Sequence, residues 1–163
     1  MTEELRARCL DLKSTYPDAD SALIPILHAL QDEYGYLTDE AVDEAAGLMG
    51  TTRAAVESVI SFYTLFKRQP KGRFHIQVCD NLTCGMCGAN EVVKHLAERW
   101  GIREGEVSED GLFSVERVEC LAACGYAPAG QVNLRYYYDL TPEKIDRIVE
   151  GLRAGEGATG ERV

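Results

Sequence analysis

Phe74-His75-Ile76-Gln77-Val78-Cys79-Asp80-Asn81-Leu82-Thr83-Cys84-Gly85-Met86-Cys87 is the stretch on which the reading of this chain turns. Phe74 to Val78 alternate apolar and polar residues, the period of a half-buried strand. The strand runs into a loop spaced Cys79-x4-Cys84-x2-Cys87. Glu91 to Trp100 then predicts a helix with Val92, Val93, Leu96 and Trp100 on one face. Phe113 to Val118 predicts a second strand, followed at once by Cys120-x3-Cys124. Gln131 to Tyr138 predicts a third and fourth strand joined by a tight turn at Leu134-Arg135. Thr141-Pro142-Glu143 opens a last helix, a capping hydroxyl ahead of a proline at the first helical position. Strand, helix, two or more strands and a helix make a small α/β layout.

Upstream, residues 1–70 predict helices alone. Leu5, Cys9, Leu12 and Tyr16 recur at helical spacing, as do Leu23, Ile26, Leu27, Leu30 and Tyr34. Thr38-Asp39-Glu40 starts a third helix, with a capping hydroxyl and two acids on the positive end of its dipole. Gly50-Thr51-Thr52 opens a fourth, with Val56, Val59, Ile60 and Tyr63 on its face. The texture changes at Gln69-Pro70-Lys71-Gly72, where a domain boundary is expected. The expected organisation is therefore α+β: a helical bundle over 1–70, an α/β domain over 71–153 and a flexible, Gly- and Ala-rich tail over 154–163.

Composition excludes several classes. The 163 residues are 45% apolar, enough for a buried core, and no apolar run approaches the roughly 20 residues of a membrane span. The net charge of −10, spread over both halves, argues against a nucleic-acid partner, which needs clustered Lys and Arg. The acidic start, Met1-Thr2-Glu3-Glu4-Leu5, lacks the features of a signal or transit peptide, so a reducing, cytoplasmic setting is expected.

Six cysteines in such a setting ask for a chemical role. Cys9 falls on an apolar helix face and reads as a small core residue. The other five leave rigid strands in two groups, where sulfurs can be held to converge. Three chemistries fit. A [2Fe–2S] cluster wants four thiolates and N–H groups aimed at sulfur. Structural zinc favours C-x2-C knuckles, and Cys84, Cys87, Cys120 and Cys124 would serve. A dithiol redox site fits Cys84-Gly85-Met86-Cys87, between strand and helix. Within the cluster reading, Cys79, Cys84 and Cys87 have plant-type ferredoxin spacing, while Cys79, Cys84, Cys120 and Cys124 use one pair from each loop. Spacing leaves both open.

Val78-Cys79-Asp80-Asn81-Leu82-Thr83-Cys84, Gly88-Ala89 and Val118-Glu119-Cys120-Leu121-Ala122-Ala123-Cys124-Gly125-Tyr126-Ala127-Pro128 closely resemble the thioredoxin-like [2Fe–2S] ferredoxin component of NADH:quinone oxidoreductase, respiratory complex I. Ile60-Ser61-Phe62-Tyr63-Thr64-Leu65-Phe66 and Tyr137-Tyr138-Asp139-Leu140-Thr141-Pro142-Glu143-Lys144 extend the resemblance to nearly the whole chain. It implies a thioredoxin-like α/β domain and cluster ligands at Cys79, Cys84, Cys120 and Cys124, with Cys87 a bystander. Three departures stand out: Cys87 itself, Ala122 where a glycine is usual, and Leu134-Arg135 at the expected turn.

A cluster carries one electron, about −400 mV in plant-type examples, whereas NADH delivers a hydride, so a flavin must split the pair. Gly155-x-Gly157-x-x-Gly160 matches a dinucleotide fingerprint only as a string, because it follows no strand. The resemblance therefore implies a partner flavoprotein subunit bearing FMN and binding NADH, with larger iron–sulfur subunits beyond it. It implies an oxidoreductase subunit that is not catalytic alone, peripheral on the cytoplasmic face of the inner membrane. Soluble NAD-linked hydrogenases and formate dehydrogenases use the same subunit type; a zinc-binding interaction module is the reading from another class. His28, His75 and His95 read as ordinary surface or half-buried residues, Tyr136-Tyr137-Tyr138 as alternating strand faces rather than a stacking platform, and the helical domain as a docking surface.

Overall fold

A computed structural model describes residues 1–157 and 160. The chain divides into two compact units, Met1–Pro70 and the residues from Lys71 onward.

The first unit is helical. α1 (Glu3–Thr15) is capped by Thr2, whose hydroxyl accepts the Leu5 N–H at 3.2 Å. A short 3-10 turn, Ala19–Ala22, leads into α2 (Leu23–Tyr34), which ends at Gly35 with φ 80°. α3 (Asp39–Met49) and α4 (Arg53–Phe62) repeat one start: Thr38 accepts from the Ala41 N–H at 3.1 Å, and Thr52 from the Ala55 N–H at 3.2 Å. Asp39 and Glu40 sit in the first turn of α3, where the helix dipole favours acids. The faces set by the apolar spacing meet in a core of Ile26, Leu27, Leu30, Leu37, Val42 and Val56. Each such side chain contributes about 1.5–3 kcal/mol by leaving water. Tyr16 and Tyr63 lie just past the ends of α1 and α4, at 39% and 43% exposure rather than in the core. Gln31 is buried among apolar neighbours, and its amide is satisfied by the segment after α4: it donates to the Leu65 carbonyl at 3.0 Å and accepts the Lys67 N–H at 2.7 Å.

The second unit is a four-stranded sheet with helices. β1 (Phe74–Cys79) is central, and α5 (Leu82–Met86) and α6 (Ala89–Trp100) carry the chain to β2 (Phe113–Val118). β3 (Gly130–Val132) and β4 (Arg135–Tyr137) precede α7 (Pro142–Arg153). The strand order is β2-β1-β3-β4, with β1 and β2 parallel and the other pairs antiparallel. A parallel pair cannot be closed by a hairpin, which is why α5 and α6 lie between β1 and β2. The register places Phe74, Ile76, Phe113, Val115 and Val132 on one face, and these pack with Leu96 of α6 and Ile145 and Val149 of α7. Gly130 sits where a Cβ would stand 2.8 Å from the Gln77 carbonyl oxygen and 2.9 Å from Leu140, so β3 can lie against β1 only with glycine there.

Three expectations need refining. A separate helix, α5, forms inside the cysteine loop, because the Asn81 side chain accepts the Leu82 N–H at 2.9 Å and starts it. The hairpin turn is Asn133-Leu134, one residue before the expected position. Both have positive φ, 48° and 65°, the geometry a two-residue hairpin with right-twisted strands demands. Asn133 suits it, and its side-chain oxygen also accepts the His75 N–H at 2.9 Å. The tail expected over 154–163 includes residues outside those described. Of its described part, Ala154 donates to the Glu150 carbonyl and Glu156 to that of Gly151.

Candidate metal centre

β1 delivers the first cysteine. Cys79 closes the strand, with its N–H donating to the Ala129 carbonyl at 3.0 Å, and the next N–H, that of Asp80, donating to Val118 at 2.9 Å. The end of β1 is thus held from both sides. α5 then turns Cys84 inward: Cys79 and Cys84 are each 2% exposed, whereas Cys87, the residue capping α5, is exposed. The second group lies past β2, where Cys120 and Cys124 are both exposed. The chain leaving that loop is fastened from behind, because Asp139 donates to the Tyr126 carbonyl and Leu140 to that of Pro128, each at 2.9 Å.

Cys84 feels both loops. Burial pushes its thiol above the ordinary range, a backbone hydrogen bond with Ala129 opposes that, and the neighbouring thiols of Cys79 and Cys124 add to the rise. Cys79 and Cys124, one from each loop, thus both act on Cys84. The fourth cysteine, Cys120, accepts the Ala122 N–H at its Sγ at 3.3 Å. Such N–H···S bonds become stronger when the sulfur is a thiolate.

The donor set suits an iron–sulfur group. Thiolate is its ordinary ligand, and the loops bring backbone N–H groups toward sulfur. A thiol held neutral by burial gives up its proton when it takes a metal. Among the described residues no three Cys, His, Asp or Glu side chains form a group that could hold a single metal ion.

The histidines lie elsewhere. The His28 ring packs 4.8 Å from Phe66, His75 Nδ1 meets Ser114 Oγ at 2.8 Å, and His95 Nε2 meets Asp146 Oδ1 at 2.7 Å. Cys9 is fully buried, and that burial raises its pKa.

The tyrosine run lies beside the site. Its faces alternate as expected, and the Tyr136 and Tyr138 rings also touch at a tilt, their centroids 5.8 Å apart, with Tyr126 5.1 Å from Tyr138. Tyr126 follows Cys124 by two residues, a proximity that alternation within a single strand does not show. Leu82, Met86 and Tyr126 are also strongly exposed near the cysteines in sequence, at 75%, 80% and 59%.

Sheet, crossover helix and cysteine loops define a class: small α/β domains that present thiols from the loops at strand ends. More narrowly, the chain belongs to the thioredoxin-like [2Fe-2S] ferredoxin family, whose profile matches residues 10–153. It is 41% identical over 159 residues to an E-type chain of the NADH-quinone oxidoreductase of Rhizobium meliloti, covering 98% of this chain and 92% of that protein. It is 43% identical over 137 residues to NADH-quinone oxidoreductase subunit 2 of Thermus thermophilus, covering 83% and 76%. Among solved structures it is similar to an NAD+-reducing [NiFe]-hydrogenase chain, with TM-score 0.67 and 25% identity over 79% of this chain. It spans only 23% of that hydrogenase chain.

Proposed function

We propose that this chain is a one-electron carrier subunit of an NADH-oxidising complex, holding a [2Fe–2S] cluster through Cys79, Cys84, Cys120 and Cys124. The observation that carries the reading is a pair of cysteines buried at the end of β1, Cys79 and Cys84, beside a second loop whose Ala122 N–H meets Cys120 Sγ at 3.3 Å. Family membership supplies the cluster type. When bound, the cluster accepts and releases single electrons at a potential set by its ligands and their hydrogen bonds.

The protein's own part is to hold and tune that group. Cys79 and Cys84 supply sulfur from a dry position, and the Ala122 N–H of the second loop faces Cys120. The exposed side chains of Leu82, Met86 and Tyr126, near the cysteines in sequence, offer apolar surface from which a docking partner can displace water. The partner is an FMN-bearing, NADH-binding flavoprotein subunit, because a hydride must be split into single electrons before a cluster can accept one. Larger iron–sulfur subunits complete the assembly, and the helical unit, with Phe62 and Leu65 exposed, serves as a docking surface. No helix among the described residues is long and apolar enough to cross a membrane; a place on the cytoplasmic face of the inner membrane, within a complex, fits this. The hydrogenase likeness supports the same role in a soluble NAD-linked complex.

Anaerobic purification tests the reading. A red-brown protein with a rhombic electron paramagnetic resonance (EPR) signal on reduction is expected, without NADH oxidation by the chain alone. Cys120→Ser is expected to abolish or alter the signal, and Cys87→Ser to leave it intact. A colourless protein with one zinc per chain overturns the cluster. The reverse response of the two variants overturns the ligand set.

A further inference from the structure

The run Tyr136-Tyr137-Tyr138 is not used by the ligand set, yet Tyr136 reaches the second cysteine loop. Its hydroxyl donates to the Leu121 carbonyl oxygen at 3.2 Å. That carbonyl belongs to the same peptide unit as the Ala122 N–H, which donates to Cys120 Sγ at 3.3 Å. A peptide is planar, so its C=O and N–H cannot turn independently. A donor that fixes the oxygen on one side thereby aims the hydrogen on the other.

This peptide needs to be held. Ala122 has φ 57°, in the left-handed region where an alanine is strained. Rotating the Leu121–Ala122 peptide about its flanking bonds would relieve the strain and swing the N–H away from Cys120. The Tyr136 hydroxyl opposes that rotation. Tyr136 is itself placed by its ring against Tyr138, which packs on Tyr126, so the anchor is a row of tilted ring contacts rather than a lone side chain. A hydrogen bond at the carbonyl also polarises the unit and strengthens donation from its N–H.

We propose that Tyr136 is a positioning residue for the metal centre, locking the Leu121–Ala122 peptide so that its N–H stays on Cys120 Sγ and raises the potential of the bound group. The inference rests on Cys120 being a ligand. N–H···S bonds stabilise negative charge on sulfur, and the reduced cluster carries more of it, so each such bond raises the potential.

The test uses the full chain with its cluster. Tyr136→Phe removes the hydroxyl and keeps the ring. A lower midpoint potential and a changed EPR line shape are expected, with the melting temperature close to that of the parent. Tyr137→Phe, on the opposite strand face, is expected to leave potential and line shape unchanged. Cys120→Ser runs alongside. If it alters the signal while Tyr136→Phe has the parent's potential and line shape, the peptide lock is wrong and the ligand set stands. If Cys120→Ser leaves the signal untouched, the ligand set fails and the lock fails with it. Equal shifts in Tyr136→Phe and Tyr137→Phe would also overturn the lock, since they would mark a general loosening of β4.

Discussion

Ala122 shows how one residue type sets local energetics. Its φ of 57° is a conformation that glycine adopts freely and an L-residue with a Cβ adopts at a cost. The resemblance leads one to expect glycine here, and a positive φ is a physical reason to expect it. Ala122→Gly relieves the strain but admits more conformations to the unfolded chain, so the net gain is about 0.5–1 kcal/mol. Denaturant unfolding of the cluster-loaded protein measures it as a higher midpoint at unchanged slope. A lower midpoint would mean that the neighbours, rather than the backbone, set the conformation. Leu134 follows the same logic, with φ 65° in the second position of the hairpin turn, where Asn-Gly would be unstrained. The sequence shows only a leucine there, and it places the turn one residue late because Asn133 continues the apolar–polar alternation of the strand before it.

At the scale of elements, α6 and α7 are joined through a single carboxylate. Asp146 Oδ1 accepts from Trp100 Nε1 at 2.6 Å and meets His95 Nε2 at 2.7 Å, while Arg99 lies 3.3 Å from Oδ2. Desolvation raises the pKa of Asp146, but hydrogen bonds from His95 and Trp100 and the charges of His95 and Arg99 outweigh it and hold the group below the ordinary value. A carboxylate depressed in the folded state stabilises the fold above its unfolded pKa and loses that contribution as pH falls through the folded one. The tie between α6 and α7 is therefore expected to weaken below about pH 3.8, the ordinary aspartate value. Melting temperature followed against pH checks this: Asp146→Asn should be less stable than the parent at neutral pH, and the difference should shrink in acid. A constant difference across the whole range would exclude the mechanism. This network was not legible in the sequence, since Trp100 and Asp146 are 46 positions apart and no periodicity links them. The helices themselves were legible, because caps such as Thr38 and Thr141 and a 3.6-residue apolar period act locally. The cysteine spacing was equally plain, but α5 was hidden: five residues are too few to show a period, and its one signal is the capping Asn81.

Across the molecule the apolar residues gather in two cores. One runs from Leu5 to Phe66 and the other from Phe74 to Leu152, with no residue in both. A unit with its own core can fold by itself if the core is large enough, and below about 70–80 residues a single core supplies little surplus. The two units differ on this count. The unit from Lys71 has a sheet with two helices on one face and holds every cysteine of the proposed ligand set. Met1–Pro70 has four helices, whose last returning segment is fixed by Gln31 and by the Leu37 N–H on the Lys67 carbonyl. A fragment of residues 71–163 is accordingly expected to fold, to bind the cluster and to give the EPR line shape of the whole chain. A fragment of residues 1–70 is expected to be helical by circular dichroism but to melt at lower temperature, over a broad transition. If the 71–163 fragment stays unfolded, or takes up the cluster only when the 1–70 fragment is added, the helical unit is part of the cluster fold rather than a separate docking body.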